Sequence, residues 1–229
     1  MVLFCRPAGV RGDVVKEYTA LASSYDRRWS RYTSATLKET LTHLPPLPNH
    51  AVVVDFACGT GALAEALSQH SCGNHLDKYI GVDISASMVQ EASIKTCHQP
   101  YPFEVEWHVG AVDAELPFAS GFADLLISTS SLHFLVSPEA MVSEAVRLLK
   151  AGGMFVCSDW CGDFTTCKLL GMWLRLRQAP LHKMFGTAEA EHLLTRAGLV
   201  MVSSKSKLLL RFWGFMVLVA RRPMQMLRD

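Results

Sequence analysis

Apolar residues recur at helical spacing through the first forty positions: Val14, Val15, Tyr18, Leu21, Ala22 and Tyr25, then Leu37, Leu41 and Leu44. This predicts helix over residues 11–44 in two stretches, ended by Pro45, Pro46 and Pro48, because proline has no N–H to donate and clashes with the preceding turn. Beyond the prolines the period changes. Residues 51–56 (AVVVDF) are a β-branched run, followed by a glycine-bearing turn and a helix over 62–69. A second strand is predicted at 79–83, with Ser85 or Ser87 capping a helix through Ile94, then a third at 103–109 and a fourth, buried on both faces, at 124–128. Ser137 and Pro138 open a helix to Lys150 that Gly152 and Gly153 end, and residues 154–158 are a fifth strand. Strands alternating with helices at this spacing predict an α/β fold with a doubly wound, mostly parallel sheet.

The last third breaks that rhythm. Residues 160–185 read as irregular or helical and rich in Trp, Leu and Arg, and a helix follows near 187–197. Strands over 199–210 and 212–221, joined tightly near Trp213-Gly214, predict an antiparallel hairpin at the sheet edge. The chain thus divides into an N-terminal helical arm, 1–48, and a core, 49–229, with an insertion at 159–187. That insertion carries Trp160, Phe164, Met172, Trp173, Leu174, Leu176 and Phe185, side chains suited to the wall of an apolar or aromatic ligand pocket.

Composition narrows the partners. The chain has 229 residues, half of them hydrophobic, and its 22 Lys+Arg against 21 Asp+Glu leave a formal charge of +1. That balance argues against nucleic acid as the partner, since such proteins work through concentrated positive charge; Arg27, Arg28 and Arg31 on the arm read as a solvated helix face. The longest apolar run, 208–220, is interrupted by Arg211 and is shorter than the ~20 residues that cross a bilayer, so no membrane span is expected. Seven cysteines without zinc-site spacing suggest reduced thiols, a cytoplasmic location and no metal.

Residues 52–67, VVVDFACGTGALAEAL, hold the most chemistry. A strand carrying Asp55 runs into a turn with Gly59 and Gly61 and then into a helix, whose unpaired N–H groups would face the same pocket. Asp83 closes the next strand 22 residues after Gly61, the position from which a carboxylate grips the two hydroxyls of a ribose. Gly59 to Ala64 also fits the GxGxxA pattern of a dinucleotide fold, so an NAD-binding oxidoreductase stays open. Asp55 beside that turn would repel a pyrophosphate and attract the ammonium and sulfonium of S-adenosylmethionine.

DFACGTG, GVDIS, VDAELPF, FADLLISTSSLHF and VRLLKAGGMFVCSDW, in that order, resemble the successive motifs of class I S-adenosylmethionine-dependent methyltransferases (methyltransferase type 11), most of all the small-molecule branch around the ubiquinone/menaquinone C-methyltransferases. The likeness covers residues 18–222. It implies that Asp55, Ala57, Cys58, Gly59, Thr60 and Gly61 line the methionine part of the cofactor, that Asp83 and Ile84 hold the ribose, and that Met88 lies against the adenine. It further implies that Asp113 and Ala114 meet the adenine edge and that Ser128 and Thr129 sit beneath the sulfonium. The arm resembles the family's lid, with Tyr18, Tyr25 and Trp29 as cofactor contacts, and aromatic faces do attract cations. Two departures stand out: the loop between Glu115 and Leu116 is one residue short, and His133-Phe134 replaces the two histidines that many relatives carry.

Methyl transfer needs a base only where the acceptor must lose a proton. His133 is the candidate, with His182 and Asp159 after it. Cys157, Cys161 and Cys167 could offer thiolates to a soft acceptor such as the arsenic that some relatives methylate, although a strand position suits Cys157 to the core. The reading is a methyltransferase acting on a small apolar or aromatic molecule in the pocket of the insertion. An oxidoreductase, or a catalytically silent partner protein burying the 208–220 face, is the alternative.

Overall fold

A computed structural model describes residues 7–176 and 183–224. One helix, α1 (Pro7–Leu41), replaces the two expected stretches and stops before Pro45. The alternating region follows as β1 (Ala51–Phe56), α2 (Ala62–Ser68), β2 (Leu76–Asp83), α3 (Ala86–His98), β3 (Glu104–Val109), β4 (Ala123–Thr129), α4 (Pro138–Leu148) and β5 (Leu149–Trp160). The chain continues through α5 (Thr165–Leu176), α6 (Thr187–Arg196), β6 (Val200–Leu209) and β7 (Trp213–Arg221).

The strands form one sheet in the order β3-β2-β1-β4-β5-β7-β6. β1 to β5 are parallel, and β7 runs antiparallel to both β5 and β6, so the expected C-terminal hairpin is present with β6 at the edge. Side-chain alternation along β1 sorts the core into two layers. Val54 and Phe56 face the side covered by α4 and α6, with Met141, Leu148 and Leu194. Val53 faces the other side with Leu63, Leu67 and Leu37 of the helical layer. Leu125, Leu126 and Ile127 of β4 are wholly buried, each contributing roughly 1.5–3 kcal/mol of hydrophobic stabilisation. The order reverses between β1 and β4, so the crevice beyond their C-terminal ends is the place where such sheets accept ligands.

Two expected boundaries move. Gly152 and Gly153 do not terminate a helix: β5 has begun at Leu149, and a Cβ on Gly153 would lie 2.9 Å from the Lys150 carbonyl oxygen and 3.1 Å from that of Ala123. The hairpin turns earlier than Trp213-Gly214, at Leu210 and Arg211, both with positive φ. Gly214 instead leaves room inside β7 for Phe164, which comes within 2.5 Å of where its Cβ would be.

Gly81 of β2 has a similar role nearer the crevice. The Trp107 ring of β3 fills the space of its missing Cβ, which would lie 2.4 Å from two ring carbons and 3.0 Å from the Cys58 sulfur. Gly81→Ala is therefore expected to lower stability by about 1–3 kcal/mol in urea unfolding, with Trp107→Leu in the same chain restoring part of it; an unchanged midpoint would show that the ring yields freely.

Candidate functional site

The C-terminal ends of four neighbouring strands surround a cavity of about 1150 Å³, counted with its mouth. Gly110 and Asp113 follow β3, Asp83 and Ile84 end β2, Ala57 to Thr60 follow β1, and Thr129 to Ser131 end β4. From β3 to β4 is three strand spacings, about 14 Å. α1 closes the top with a stripe of Val14, Tyr18, Tyr25, Tyr32 and Thr36, spaced as one helix face requires.

The turn after β1 is held from below. Cys58 N–H donates to the Val82 carbonyl at 3.0 Å, and Gly59 N–H to the Asp83 carboxylate at 2.9 Å. The other Asp83 oxygen accepts from Ser85 N–H at 2.8 Å. One carboxylate thus fixes the glycine turn and the start of α3, where Ser85 caps the helix by accepting from Met88 N–H. Burial raises the Asp83 pKa against these two donors. Ala57 and Ser130, at the ends of β1 and β4, both hold positive φ without being glycine, +59° and +54°. Strain of this kind is placed where the surroundings determine the backbone fully, as at ligand sites. Asp26 ties α1 down, accepting from Thr60 Oγ1 at 2.6 Å and pairing with Lys95 of α3. None of the described residues lining the cavity is Lys, Arg or His.

Residues 54–157 match the family model of the methyltransferase domain. The chain is 29% identical over 156 residues to the malonyl-[acyl-carrier protein] O-methyltransferase of Hahella chejuensis, covering 67% of this chain and 51% of that protein. It is also 29% identical over 168 residues to a ubiquinone/menaquinone biosynthesis C-methyltransferase of Caulobacter vibrioides, covering 69% of this chain and 61% of that one. The chain therefore spans little more than half the length of these curated relatives. Among solved structures, the complex between the Haloferax volcanii Trm112 methyltransferase activator and the putative methyltransferase matches with a TM-score of 0.76 at 21% identity, over 90% of this chain and 98% of that one. Residues 54–157 thus carry a methyltransferase domain, and the solved structures that resemble the chain share its fold.

Of the residues that the resemblance assigned to the cofactor, Tyr18, Tyr25, Ala57, Cys58, Gly59, Thr60, Asp83, Ile84, Met88, Asp113 and Thr129 line the cavity. Five do not. Asp55 points to the buried α2 face of β1, where it accepts a hydrogen bond from the Tyr79 hydroxyl. Gly61 lies under Trp107, 2.7 Å from the position of a Cβ, and Ala114 is exposed. Ser128 is buried and its hydroxyl lies 2.6 Å from that of Ser131, which does line the cavity. Trp29 packs edge-on against Tyr32 at 6.1 Å.

Desolvation raises the pKa of Asp55 to about 7, with the Tyr79 hydrogen bond opposing and the Asp83 charge assisting; its Oδ1 is buried without a partner among the described residues. The folded chain thus keeps a proton on Asp55 well above the ordinary carboxylate value of 3.8. Between these values the native state binds more protons than the unfolded one, so stability is fully present below the lower pKa and falls as pH rises to the upper, by a total on the order of 4 kcal/mol. Urea unfolding at pH 5 and pH 8 is expected to show about two-thirds of this loss, the part above pH 5, and Asp55→Asn to reduce it; equal losses in both proteins would contradict the assignment.

His133 requires correction as a catalytic base. It is buried at 2% exposure, does not line the cavity, and stacks on Trp160 at 4.3 Å with 9° between the rings. Its Nδ1 lies 2.5 Å from the Asp159 carboxylate, which also accepts from the backbone N–H of His133 at 3.1 Å and of Trp160 at 2.6 Å. His133 and Asp159 thus shape the wall behind Phe134 and Trp160. His182 lies outside the described residues.

The insertion is likewise placed differently from the expectation. None of its described residues lines the main cavity; α5 packs on β7, with Met172, Trp173 and Leu176 half or more exposed and Met172 and Leu176 lining a separate open hollow. Cys157, Cys161 and Cys167 are buried, and burial pushes all three thiols up, away from the thiolate that a soft acceptor would need. Sequence reasoning missed Tyr32, Thr33, Thr36, Ser130, Ser131 and Phe134 of the cavity wall. The signal for Tyr32 was present: Tyr18, Tyr25 and Tyr32 recur every seven residues.

Proposed function

We propose that this chain transfers the methyl group of S-adenosylmethionine to a small, apolar or aromatic molecule. The observation that carries the reading is the cavity wall: the Asp83 carboxylate with a glycine turn on one side, tyrosine rings on the other, and no cationic side chain among the described residues between. Such a wall suits a positively charged adenosyl compound without phosphate and is poor company for a diphosphate. In this reading Met88 and Asp113 hold the adenine, and Asp83 and Ile84 the ribose. Ala57 to Thr60 take the amino-acid part, and Thr129, Tyr18 and Tyr25 surround the sulfonium. When bound, the cofactor supplies a methyl group already activated for in-line displacement. The protein then orients the acceptor and excludes water, which is what a helix laid over the strand ends does. The name of one relative, a ubiquinone/menaquinone biosynthesis C-methyltransferase, agrees with an acceptor of this size class.

An NAD-binding oxidoreductase would need groups to face two phosphates. A silent partner protein would bury the 208–220 face in an interface, whereas in this chain Phe215 to Ala220 is already buried inside the fold and only Leu208, Leu210 and Phe212 among its large apolar residues stay exposed. No helix among the described residues is long and apolar enough to cross a membrane. Calorimetric titration tests the reading: S-adenosylmethionine is expected to bind one to one, at least a hundredfold tighter than NAD. Comparable affinities for the two would reject it.

A further inference from the structure

At the β4 and β5 end of the cavity, away from the proposed adenosine end, three polar groups form a chain. The Trp160 indole N–H donates to the Tyr32 hydroxyl at 2.6 Å, and that hydroxyl lies 2.9 Å from the Ser130 hydroxyl. An indole nitrogen only donates, while each hydroxyl carries one proton and two lone pairs. Three protons thus serve two internal hydrogen bonds. Whichever hydroxyl donates to the other, one O–H proton remains, on Tyr32 or on Ser130, and both residues line the cavity. The arrangement is held firmly. Ser130 N–H donates to the Ser158 carbonyl at 2.7 Å and keeps a positive φ; Tyr32 packs edge-on against the adjoining rings of Trp160 and Trp213. Burial also raises the Tyr32 pKa, so the phenol keeps its proton.

We propose that the Tyr32–Ser130 pair, backed by the Trp160 indole, donates a hydrogen bond to an oxygen of the methyl acceptor, so that the acceptor bears a carbonyl or carboxylate oxygen on an apolar body. This deepens the methyltransferase reading and rests on it. Phe134, Leu135 and Val136 line the same cavity and supply the apolar surface for that body. Donation through a chain strengthens the last donor, since each hydrogen bond polarises the next. Both residues are acceptor-binding groups in this account; neither belongs to the proposed cofactor set.

The test uses the full chain labelled with ¹⁵N-tryptophan and saturated with S-adenosylhomocysteine. It is titrated with benzoate, methyl benzoate and toluene, three probes of one shape that differ in oxygen. The indole N–H signal of Trp160, assigned by its loss in Trp160→Phe, is the readout. Benzoate or methyl benzoate is expected to shift that signal saturably and to bind at least fivefold tighter than toluene, the two arms separating carboxylate from neutral carbonyl. Tyr32→Phe, and Ser130→Gly, which tolerates the positive φ, each leave one hydroxyl and are each expected to reduce the preference, and the double variant to abolish it, while S-adenosylhomocysteine affinity changes less than threefold. No preference over toluene in the native chain, or a preference undiminished in both single variants, overturns the proposal. If Tyr32→Phe does not fold, Ser130→Gly decides alone. Failure of S-adenosylhomocysteine itself to bind would strike the methyltransferase reading instead, so the two failures are distinguishable.

Discussion

Asp83→Ala is expected to weaken S-adenosylmethionine binding at least fiftyfold in calorimetry. The carboxylate would be lost twice over, as the partner of the ribose diol and as the acceptor that holds Gly59 N–H and Ser85 N–H in place. A charge-assisted hydrogen bond contributes about 1.5–3 kcal/mol, and fiftyfold corresponds to about 2.3 kcal/mol, so one such bond to the ligand suffices. Asp83→Asn separates the two roles: it keeps an oxygen for one backbone donor and loses the charge, and an intermediate loss of affinity is expected. A folded Asp83→Ala chain that binds as tightly as the native one would remove this residue from the site.

The second large effect is on stability. Asp159 accepts three hydrogen bonds inside the wall, from the His133 ring and from the backbone N–H groups of His133 and Trp160, and is 1% exposed. Asp159→Ala leaves three buried donors without a partner, each costing about 1–3 kcal/mol, so urea unfolding is expected to register a loss of about 3 kcal/mol or more. His133→Ala removes one of the three donors and leaves the carboxylate its two backbone partners, so a smaller loss is expected. The relevant contrast is with a surface residue: a loss under 1 kcal/mol for Asp159→Ala would mean that water reaches the pair and that this wall is not sealed. The buried His133 Nε2 has no partner among the described residues, which agrees with a ring used for its stacking and its Nδ1.

The parallel half of the sheet was legible because its strands are short apolar runs bounded by turn residues, and β1 begins and ends where the run AVVVDF does. Boundaries failed where tertiary packing overrides local chemistry. Gly152-Gly153 reads as a helix stop but lies in β5, and Gly214 reads as a turn but makes room for Phe164. The site was legible where a residue follows directly from a strand end, as for Asp83 and Ala57 to Thr60. Asp55 illustrates the limit. Its motif placed it beside the turn, but strand alternation turns it with Val53 into the layer beneath α2, where Tyr79 covers it. His133 is the reverse case, a histidine whose chemistry suggested exposure and whose ring is sandwiched at the wall. Tyr32, Ser130 and Trp160 come from three distant segments, and no local pattern joins them before the chain folds.

The central claim is that the ends of β1 to β4 hold an adenosyl cofactor under α1. A crystal structure of the complex with S-adenosylhomocysteine tests it most directly. The account predicts the ribose hydroxyls within hydrogen-bond reach of the Asp83 carboxylate, the adenine between Met88 and Asp113, and the sulfur between the turn after β1 and Thr129. Ligand density elsewhere, or a diphosphate bound against Gly59 in a parallel crystal grown with NAD, would contradict it.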